Sequence, residues 1–283
     1  MAEKAVSNTV QCGFESHPGH CMDPVGRRDD TRRMYPERVR LHAIRLVSGG
    51  RSLNSVSLET GVSRASLREW RERGTRPIRR SAPCWVCDGD PPVSSAAYAS
   101  LLGYYLGDGC ISRAGSVYSF RVSCDASYPG IITDVTLVIQ GVRHDATVSL
   151  VPAPGVLVVQ SYWKHWPCLF PQHGPGRKHE RTLVLADWQS EIIEAHPADF
   201  LRGLFHSDGC RVNNWTRRSV AGEMKRYDYP RWQFVNHSEQ IRLWCTQALD
   251  LVDVPWRKSN WKTISVSTRA GVARLDELVG LKA

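Results

Sequence analysis

The chain has 283 residues and a formal net charge of +9 at pH 7, and 42% of its residues, including ten tryptophans, are hydrophobic. This length suits two domains, and this apolar content favours a packed core over a disordered chain. Because the sequence has neither an apolar run of roughly 20 residues nor a secretory signal, it argues against a membrane protein and predicts a cytoplasmic one.

The positive charge is concentrated in residues 27–80, which contain fifteen arginines, no lysine and six acidic residues. The remaining residues are balanced. A basic segment beside a near-neutral body predicts contact with phosphate, although a solvated basic surface without a partner would have the same composition.

The amino-terminal third predicts a short helical domain after an irregular start. Residues 1–30 have no hydrophobic periodicity, and we expect them to be mostly disordered. Residues 31–76 contain helical patterns separated by glycines. In "GVSRASLREWRERG", Gly61 supplies the positive φ of a turn and Ser63 is a natural N-cap for the helix that follows.

This layout is typical of a helix-turn-helix, whose second helix enters the DNA major groove. The stretch resembles the small helix-turn-helix units of resolvases and transposases, and an ordinary three-helix bundle with an arginine-rich surface is the alternative. The second helix has four candidate DNA-contacting residues: Arg64, Ser66, Arg68 and Arg71.

Residues 77–95 are rich in proline and arginine and predict a linker. The linker contains Cys84-Trp-Val-Cys87, and the nine cysteines of the chain favour thiols or metal ligands over a disulfide framework. The C-x-x-C spacing supplies two zinc ligands, whereas a tetrahedral site needs four. No second C-x-x-C exists, so a site completed by remote residues and the absence of metal both remain open.

The chain contains a repeat, "LLGYYLGDGC" at 101–110 and "LRGLFHSDGC" at 201–210. Each copy predicts an apolar helix that runs into Asp-Gly. Gly103 and Gly203 occupy equivalent helical positions, where a glycine indicates that two backbones approach closely. Two helices packed in this way would bring Asp108 and Asp208 together at one point.

The order of predicted elements is also repeated. Residues 96–193, which include a connecting loop, and residues 194–283 each predict a helix, two strands, a helix, two strands and a final helix. A repeat of this length indicates two pseudo-symmetric halves.

The two motifs and the matching order resemble the single-chain LAGLIDADG homing endonucleases. The resemblance implies an α+β fold, with two αββαββα halves whose antiparallel sheets form a saddle on DNA. It also implies that Asp108 and Asp208 bind Mg²⁺ or Mn²⁺ between the scissile phosphates. Gly103 and Gly203 would be the glycines at which the helices pack, in a monomer with pseudo-twofold symmetry.

The proposed chemistry is consistent with these residue types. Phosphodiester hydrolysis needs an activated water and stabilisation of the leaving oxygen, which divalent ions held by carboxylates supply. The alternative is that both aspartates end their helices without binding metal. The resemblance further implies a basic residue beside each metal, for which the strand ends offer Lys164 and Arg269. Lys262 competes with Arg269, and each could instead contact the DNA backbone.

The segment "HWPCLFPQHGPGRKHERTLVL" has no counterpart in the second half. Its C-x4-H-x5-H pattern consists of Cys168, His173 and His179. Zinc would then take a fourth ligand from His165 or from the C-x-x-C. The favoured interpretation is a basic loop that contacts phosphate through Arg177 and Lys178.

We therefore predict a sequence-specific endonuclease acting on double-stranded DNA. A transcription regulator built on the same domains that does not cleave DNA is the alternative, although such regulators tend to lose the motif acids that this chain keeps. The sheets would read the major groove through polar side chains. The candidates are Arg113, Arg121, Asn213, Arg217, Lys225, Arg231 and Gln233.

Overall fold

The computed structural model describes residues 35, 37–73, 84–90, 92, 94–280 and 282. The described residues belong to two compact units, residues 35–73 and residues 84–282. The segment 1–30 lies outside the described residues. Among the helices that the structure describes, none is long and apolar enough to cross a membrane.

The smaller unit consists of three helices: α1 (Glu37–Ser48), α2 (Leu53–Thr60) and α3 (Arg64–Arg73). Its core is formed by fully buried apolar side chains, with Ala43 at the centre of α1 and Val62 and Leu67 around the turn before α3. Gly61 has φ 68°, the left-handed conformation that the sequence predicts for this turn. The turn therefore joins α2 to α3 in the order expected of a helix-turn-helix.

The larger unit begins with two helices and a four-stranded half. Its elements are α4 (Trp85–Asp88), α5 (Ser95–Leu106), β1 (Gly109–Ala114), β2 (Val117–Asp125), α6 (Pro129–Val142), β3 (Val148–Ala153), β4 (Val156–Trp163) and α7 (Trp166–Leu169). A 3-10 turn at Lys178–Glu180 and the helix α8 (Asp187–Ala195) connect it to the second half. The second half contains α9 (Pro197–Asp208), β5 (Gly209–Val220), β6 (Glu223–Val235), α10 (Glu239–Leu251), β7 (Arg257–Asn260), β8 (Thr263–Val266) and α11 (Arg269–Val279).

The two halves have the same sheet topology. The first sheet has the order β1-β2-β4-β3 and the second the order β5-β6-β8-β7, and all neighbouring strands are antiparallel. The predicted fold class, a pair of αββαββα halves preceded by helices, is confirmed. One apolar face of each sheet packs on the helices, with Phe120 and Val122 in the first half and Trp232 and Phe234 in the second.

The two halves meet where α5 packs against α9, and glycines form this contact. A Cβ atom on Gly103 would lie 2.5 Å from the carbonyl oxygen of Phe200 and 2.9 Å from Cα of Gly203. A Cβ atom on Gly203 would collide with the carbonyl oxygen of Ser100. Because backbone atoms cannot move aside as a side chain can, only glycine fits at these two positions.

The structure differs from the predicted linker at Cys84 and Trp85. Cys84 and Trp85 belong to the core of the larger unit, and the exposed fraction of Cys84 is only 2%. The Trp85 ring packs edge-on against Tyr98 and Trp188, at centroid distances of 5.6 and 5.0 Å. Two apolar residues are enough to anchor this short turn in the core. Because so few residues take part, the proline-rich composition of the segment gave no indication of the packing.

We expect Gly103→Ala to destabilise the larger unit by about 3 kcal/mol or more, because the added methyl group would meet backbone atoms of α9. Gly222→Ala is the control. Gly222 has φ 84° and open space around it, so alanine there costs only backbone strain of about 1 kcal/mol. Urea denaturation of both variants measures the difference, and equal losses of stability would show that the helix contact tolerates a Cβ atom.

Candidate metal and nucleic-acid site

The repeated aspartates lie at the ends of the two packed helices. Asp208 is the last residue of α9, and Asp108 follows α5 by two residues. A Cβ atom on Gly107 would be 3.4 Å from Oδ2 of Asp208 and would collide with the Ser207 side chain. The glycine pair therefore brings both Asp-Gly motifs to one point, as the repeat predicts.

Burial raises the pKa values of both carboxyl groups, and the charge of Asp108 adds to the shift of Asp208. Removal from water raises the pKa of Asp108. Burial, followed by the charge of Asp108, raises the pKa of Asp208 to about 7, although the Asn236 amide nitrogen donates a hydrogen bond to Asp208 Oδ2 at 2.6 Å and opposes this shift. The two acids thus share an electrostatic environment in which full ionisation is unfavourable.

Two lysines that the sequence did not assign to this site lie against it. The Lys178 ammonium group donates hydrogen bonds to the carbonyl oxygens of Tyr105, of Leu106 at 3.2 Å and of Gly107 at 2.8 Å. These carbonyls belong to the end of α5, where a cation complements the helix dipole. Lys282 donates to the carbonyl oxygen of Ser207 at 3.2 Å, near the end of α9.

The lysines and the acids influence each other. Burial lowers the pKa of Lys178 to about 8, and both aspartates oppose that shift. Burial also lowers the pKa of Lys282, and the same two aspartates oppose it. The site is therefore a compact group of two carboxyls and two ammonium groups, one lysine at each helix end.

The predicted basic residues are placed differently. Lys164 follows β4 and Arg269 begins α11, and both are exposed. The cations that lower the pKa values of Asp108 and Asp208 are instead Lys178 and Lys282. Neither lysine has a sequence signature for this role, because one lies in the unrepeated connecting segment and the other near the end of the chain.

The donor set fits a hard divalent cation such as Mg²⁺ or Mn²⁺. Asp108 and Asp208 offer carboxylate oxygens from two directions, and both residues are partly accessible. The two ammonium groups already supply positive charge to the same carboxylates. A metal ion would therefore compete with the two ammonium groups for the carboxylates, or bind the carboxylates alongside them.

The strand register divides the predicted DNA-contacting residues between the two faces of the sheets. Arg113 pairs with Tyr118, and Tyr118 lies two residues from the buried Phe120 on the same strand. Because alternate side chains of a strand point to the same face, Arg113 belongs to the helix-facing side of the first sheet. Asn213 and Arg217 are separated from Arg211 by even numbers of residues along β5, so they alternate in step with it. Arg211 pairs with the buried, helix-facing Trp232. Strand position alone does not determine the face of a residue, because a shift by one residue reverses it.

The other four candidates lie on the faces turned away from the helices: Arg121, Lys225, Arg231 and Gln233. Arg121 donates to the hydroxyl of Ser112 at 3.1 Å. Arg231 and Gln233 are buried, and Arg231 donates to the hydroxyl groups of Ser259, at 2.6 Å, and of Ser265. Gln160, which sequence reasoning missed, shares the face of Arg121 and donates to Ser119 at 2.6 Å.

In the smaller unit, Arg64, Arg68 and Arg71 are exposed along one helix, α3. The Ser66 hydroxyl lies 2.9 Å from the Ser63 hydroxyl, and the Ser66 backbone N–H donates to Ser63 Oγ at 3.1 Å. Ser66 therefore takes part in the cap of α3, in addition to its predicted contact with DNA.

The predicted zinc ligands separate into two groups. Cys84, Cys87 and Cys168 converge with His165, whose ring completes a cluster of four. His173 instead packs its ring edge-on against Tyr118 at 5.8 Å, and His179 packs against His237 at 5.4 Å. The three cluster cysteines are free thiols, whereas two cysteines elsewhere are disulfide-bonded, against expectation: Cys110 and Cys210.

One family model matches the amino-terminal part of the chain. Residues 30–79 match the family model HTH_Tnp_1, described as "Transposase". No curated protein matches the chain.

Three similar solved structures each cover between two thirds and three quarters of this chain. I-DmoI in complex with DNA and Mn is 11% identical, with a TM-score of 0.43, over 67% of this chain and 98% of that chain. The N-terminal LAGLIDADG domain of DUF199/WhiA is 11% identical, with a TM-score of 0.41, over 67% and 83%. The homing endonuclease I-WcaI bound to its DNA recognition sequence is 12% identical, with a TM-score of 0.39, over 75% and 92%.

We expect Asp208→Asn to stabilise the protein at pH 8 and much less at pH 4. Folding raises the pKa of Asp208 from 3.8 to about 7, so the contribution of this carboxyl to stability is fully present below pH 3.8 and is lost as pH rises through 7. Asparagine cannot ionise, and after allowance for solvent access we expect a gain of about 1–2 kcal/mol at pH 8.

Denaturation at the two pH values, without added divalent ions, provides the measurement. Asp250→Asn is the matched control, because Asp250 is an exposed aspartate on α10 that accepts a hydrogen bond from Trp256. Equal stability of wild type and Asp208→Asn at pH 8 would contradict the assigned electrostatics.

Proposed function

We propose that this protein is a DNA-binding protein whose larger unit hydrolyses double-stranded DNA with a divalent metal ion. The observation that carries the proposal is the meeting of Asp108 and Asp208 at the ends of helices packed through Gly103 and Gly203. A purely structural helix contact needs the glycines and does not need an ionisable pair in half-buried surroundings. The presence of an acid in both copies of the motif therefore favours a chemical role.

The remaining residues of the site would act on DNA phosphate. The carboxylates would hold Mg²⁺ or Mn²⁺, which supplies an activated water and stabilises the leaving oxygen. Lys178 and Lys282 would keep the helix ends fixed and attract the phosphate to the acids. Asn236, whose oxygen accepts the Ser238 N–H at 2.8 Å, would hold the orientation of the Asp208 carboxylate.

The sheets would contact the DNA grooves with the faces turned away from the helices. Arg121, Lys225 and Gln160 offer the donors and acceptors that base edges recognise. The helix-turn-helix unit would add phosphate and base contacts through α3.

One observation favours the alternative, a regulator that binds DNA without cutting it. Lys178 and Lys282 lower the pKa values of the same two carboxyls that would hold metal. Their ammonium groups thereby take over part of the counter-charge that an ion would supply. In that case the motif acids serve the helix interface and the lysines replace the metal.

A cleavage experiment tests the proposal directly. Duplexes are selected from a random library in Ca²⁺, and Mg²⁺ or Mn²⁺ is then added to the bound DNA. We expect wild type to cut both strands, and Asp108→Asn or Asp208→Asn to bind the same duplex and cut it roughly a hundredfold more slowly or not at all. Asp250→Asn is the control and should cut like wild type.

Lys178→Met and Lys282→Met distinguish the two functions. In a nuclease whose lysines stabilise the transition-state charge, both variants cut far more slowly and keep specific binding. In the regulator, wild type binds its duplex without cleavage in either ion, and the methionine variants gain affinity for Mn²⁺. That second result would overturn the endonuclease.

For the smaller unit, we expect the double variant Arg64→Ala/Arg68→Ala to weaken DNA binding by about tenfold. The salt dependence of binding should become shallower by about one unit for each phosphate that the variant no longer neutralises. Arg38→Ala, which removes an exposed arginine of α1, is the control. An equal loss of affinity per arginine in the double variant and the control would indicate a non-specific basic surface instead of a recognition helix.

A further inference from the structure

We infer that the larger unit contains a structural zinc site formed by Cys84, Cys87, His165 and Cys168. The ligand atoms of these four residues all lie within 4.8 Å of one another. Three thiols and one imidazole are the donor set of a closed Cys₃His zinc site, which has no open position for substrate. The site goes beyond the proposed DNA chemistry and does not depend on it.

The distances among Cys87, His165 and Cys168 are close to those of tetrahedral zinc. Zinc bonds of about 2.3 Å to sulfur and 2.0–2.1 Å to nitrogen separate two sulfurs by about 3.8 Å and a sulfur from a nitrogen by about 3.6 Å. Cys87 Sγ lies 3.5 Å from Cys168 Sγ and 3.4 Å from His165 Nδ1, and Cys168 Sγ lies 3.6 Å from the same nitrogen.

Two similar turns of the chain present the ligands. Cys84 is the N-cap of the four-residue helix α4 and Cys87 is its third residue. His165 and Cys168 occupy the same two places in α7. The x-x spacing within each pair places both side chains on one side of a single turn, so two short sequences far apart supply a complete ligand set.

Core packing holds both turns in place. Trp85 of α4 packs against Tyr98 and Trp188, and Cys84 is almost fully buried. Trp166 of α7 packs against Phe120 at 4.9 Å, and its indole N–H donates to the carbonyl oxygen of Ser161 at 3.1 Å. The ligand geometry therefore follows from apolar contacts that do not themselves involve the sulfurs.

The donor chemistry favours zinc over other occupants. Thiolate and imidazole ligands in tetrahedral arrangement are typical of Zn²⁺, and hard ions such as Mg²⁺ prefer oxygen. A disulfide between Cys87 and Cys168 would need a sulfur separation near 2.05 Å, far below the observed 3.5 Å. It would also not account for the position of the Cys84 thiol and the His165 ring in the same cluster.

The ion would connect the start of the larger unit to the end of its first sheet. Cys84 and Cys87 precede α5, whereas His165 and Cys168 follow β4, so the zinc would close a loop of about 80 residues. Such a bond would fix the segment through which the chain enters the nuclease-like halves. Its removal should affect stability more than the chemistry at Asp108 and Asp208.

Metal analysis of the full chain tests the inference. We expect one zinc ion per chain in protein purified without chelator, and no bound zinc in Cys87→Ser and Cys168→Ser. His173→Ala and His179→Ala are the controls, because the C-x4-H-x5-H pattern also includes these histidines while the structure places them outside the cluster. Both controls should retain zinc.

Wild-type protein supplies a second measurement that does not depend on the folding of a variant. After reduction and metal removal, added Co²⁺ should give the visible absorption of tetrahedral thiolate coordination, and zinc should displace it. Zinc should also raise the melting temperature of metal-free wild type. Reduced protein that binds neither ion, or zinc loss in His173→Ala or His179→Ala equal to that in the cysteine variants, would overturn the inference.

Discussion

The contact between the backbones of α5 and α9 is the constraint on which the rest of the larger unit depends. Because Gly103 and Gly203 lack side chains, the helices approach until main-chain atoms touch. Because both glycines lie within about one and a half turns of a helix end, the two ends come close together, and each leads into Asp-Gly. The site is therefore a geometric consequence of helix packing, and the identical order of the two sheets follows from the same pseudo-twofold arrangement.

This packing creates an electrostatic problem at the helix ends. The carbonyl groups of two helix termini and two carboxyl groups converge in half-buried surroundings, and all of them are negative or partly negative. Lys178 and Lys282 relieve the accumulation by donating to the terminal carbonyls and by lowering the pKa values of the acids. At Asp208 the effect of burial is still larger than that of the lysines, and the pKa is raised to about 7.

The sequence was sufficient to predict what the repeat encodes and insufficient for what lies outside it. The motif glycines, the acids and the order of strands all have a second copy, and two copies make a short apolar pattern specific. The face of a strand residue was harder to predict, because successive side chains alternate between faces. Arg113, Asn213 and Arg217 alternate in step with the helix-facing positions, which strand position alone did not reveal. Lys178 and Lys282 act through backbone carbonyls far away in sequence, and no local pattern predicts that kind of contact.

The unrepeated segments make the two halves chemically unequal. The connection after β4 supplies His165 and Cys168 to the thiol cluster and Lys178 to the end of α5, whereas the second half receives Lys282 from the carboxyl-terminal segment. Asp208 has a hydrogen bond from Asn236, and its pKa is raised first by burial and then by Asp108. A pseudo-symmetric scaffold thus carries two carboxyls in different surroundings. If both act on DNA, the inequality means that the two strands meet different sites, and the difference arises from Lys178, Lys282 and Asn236 together.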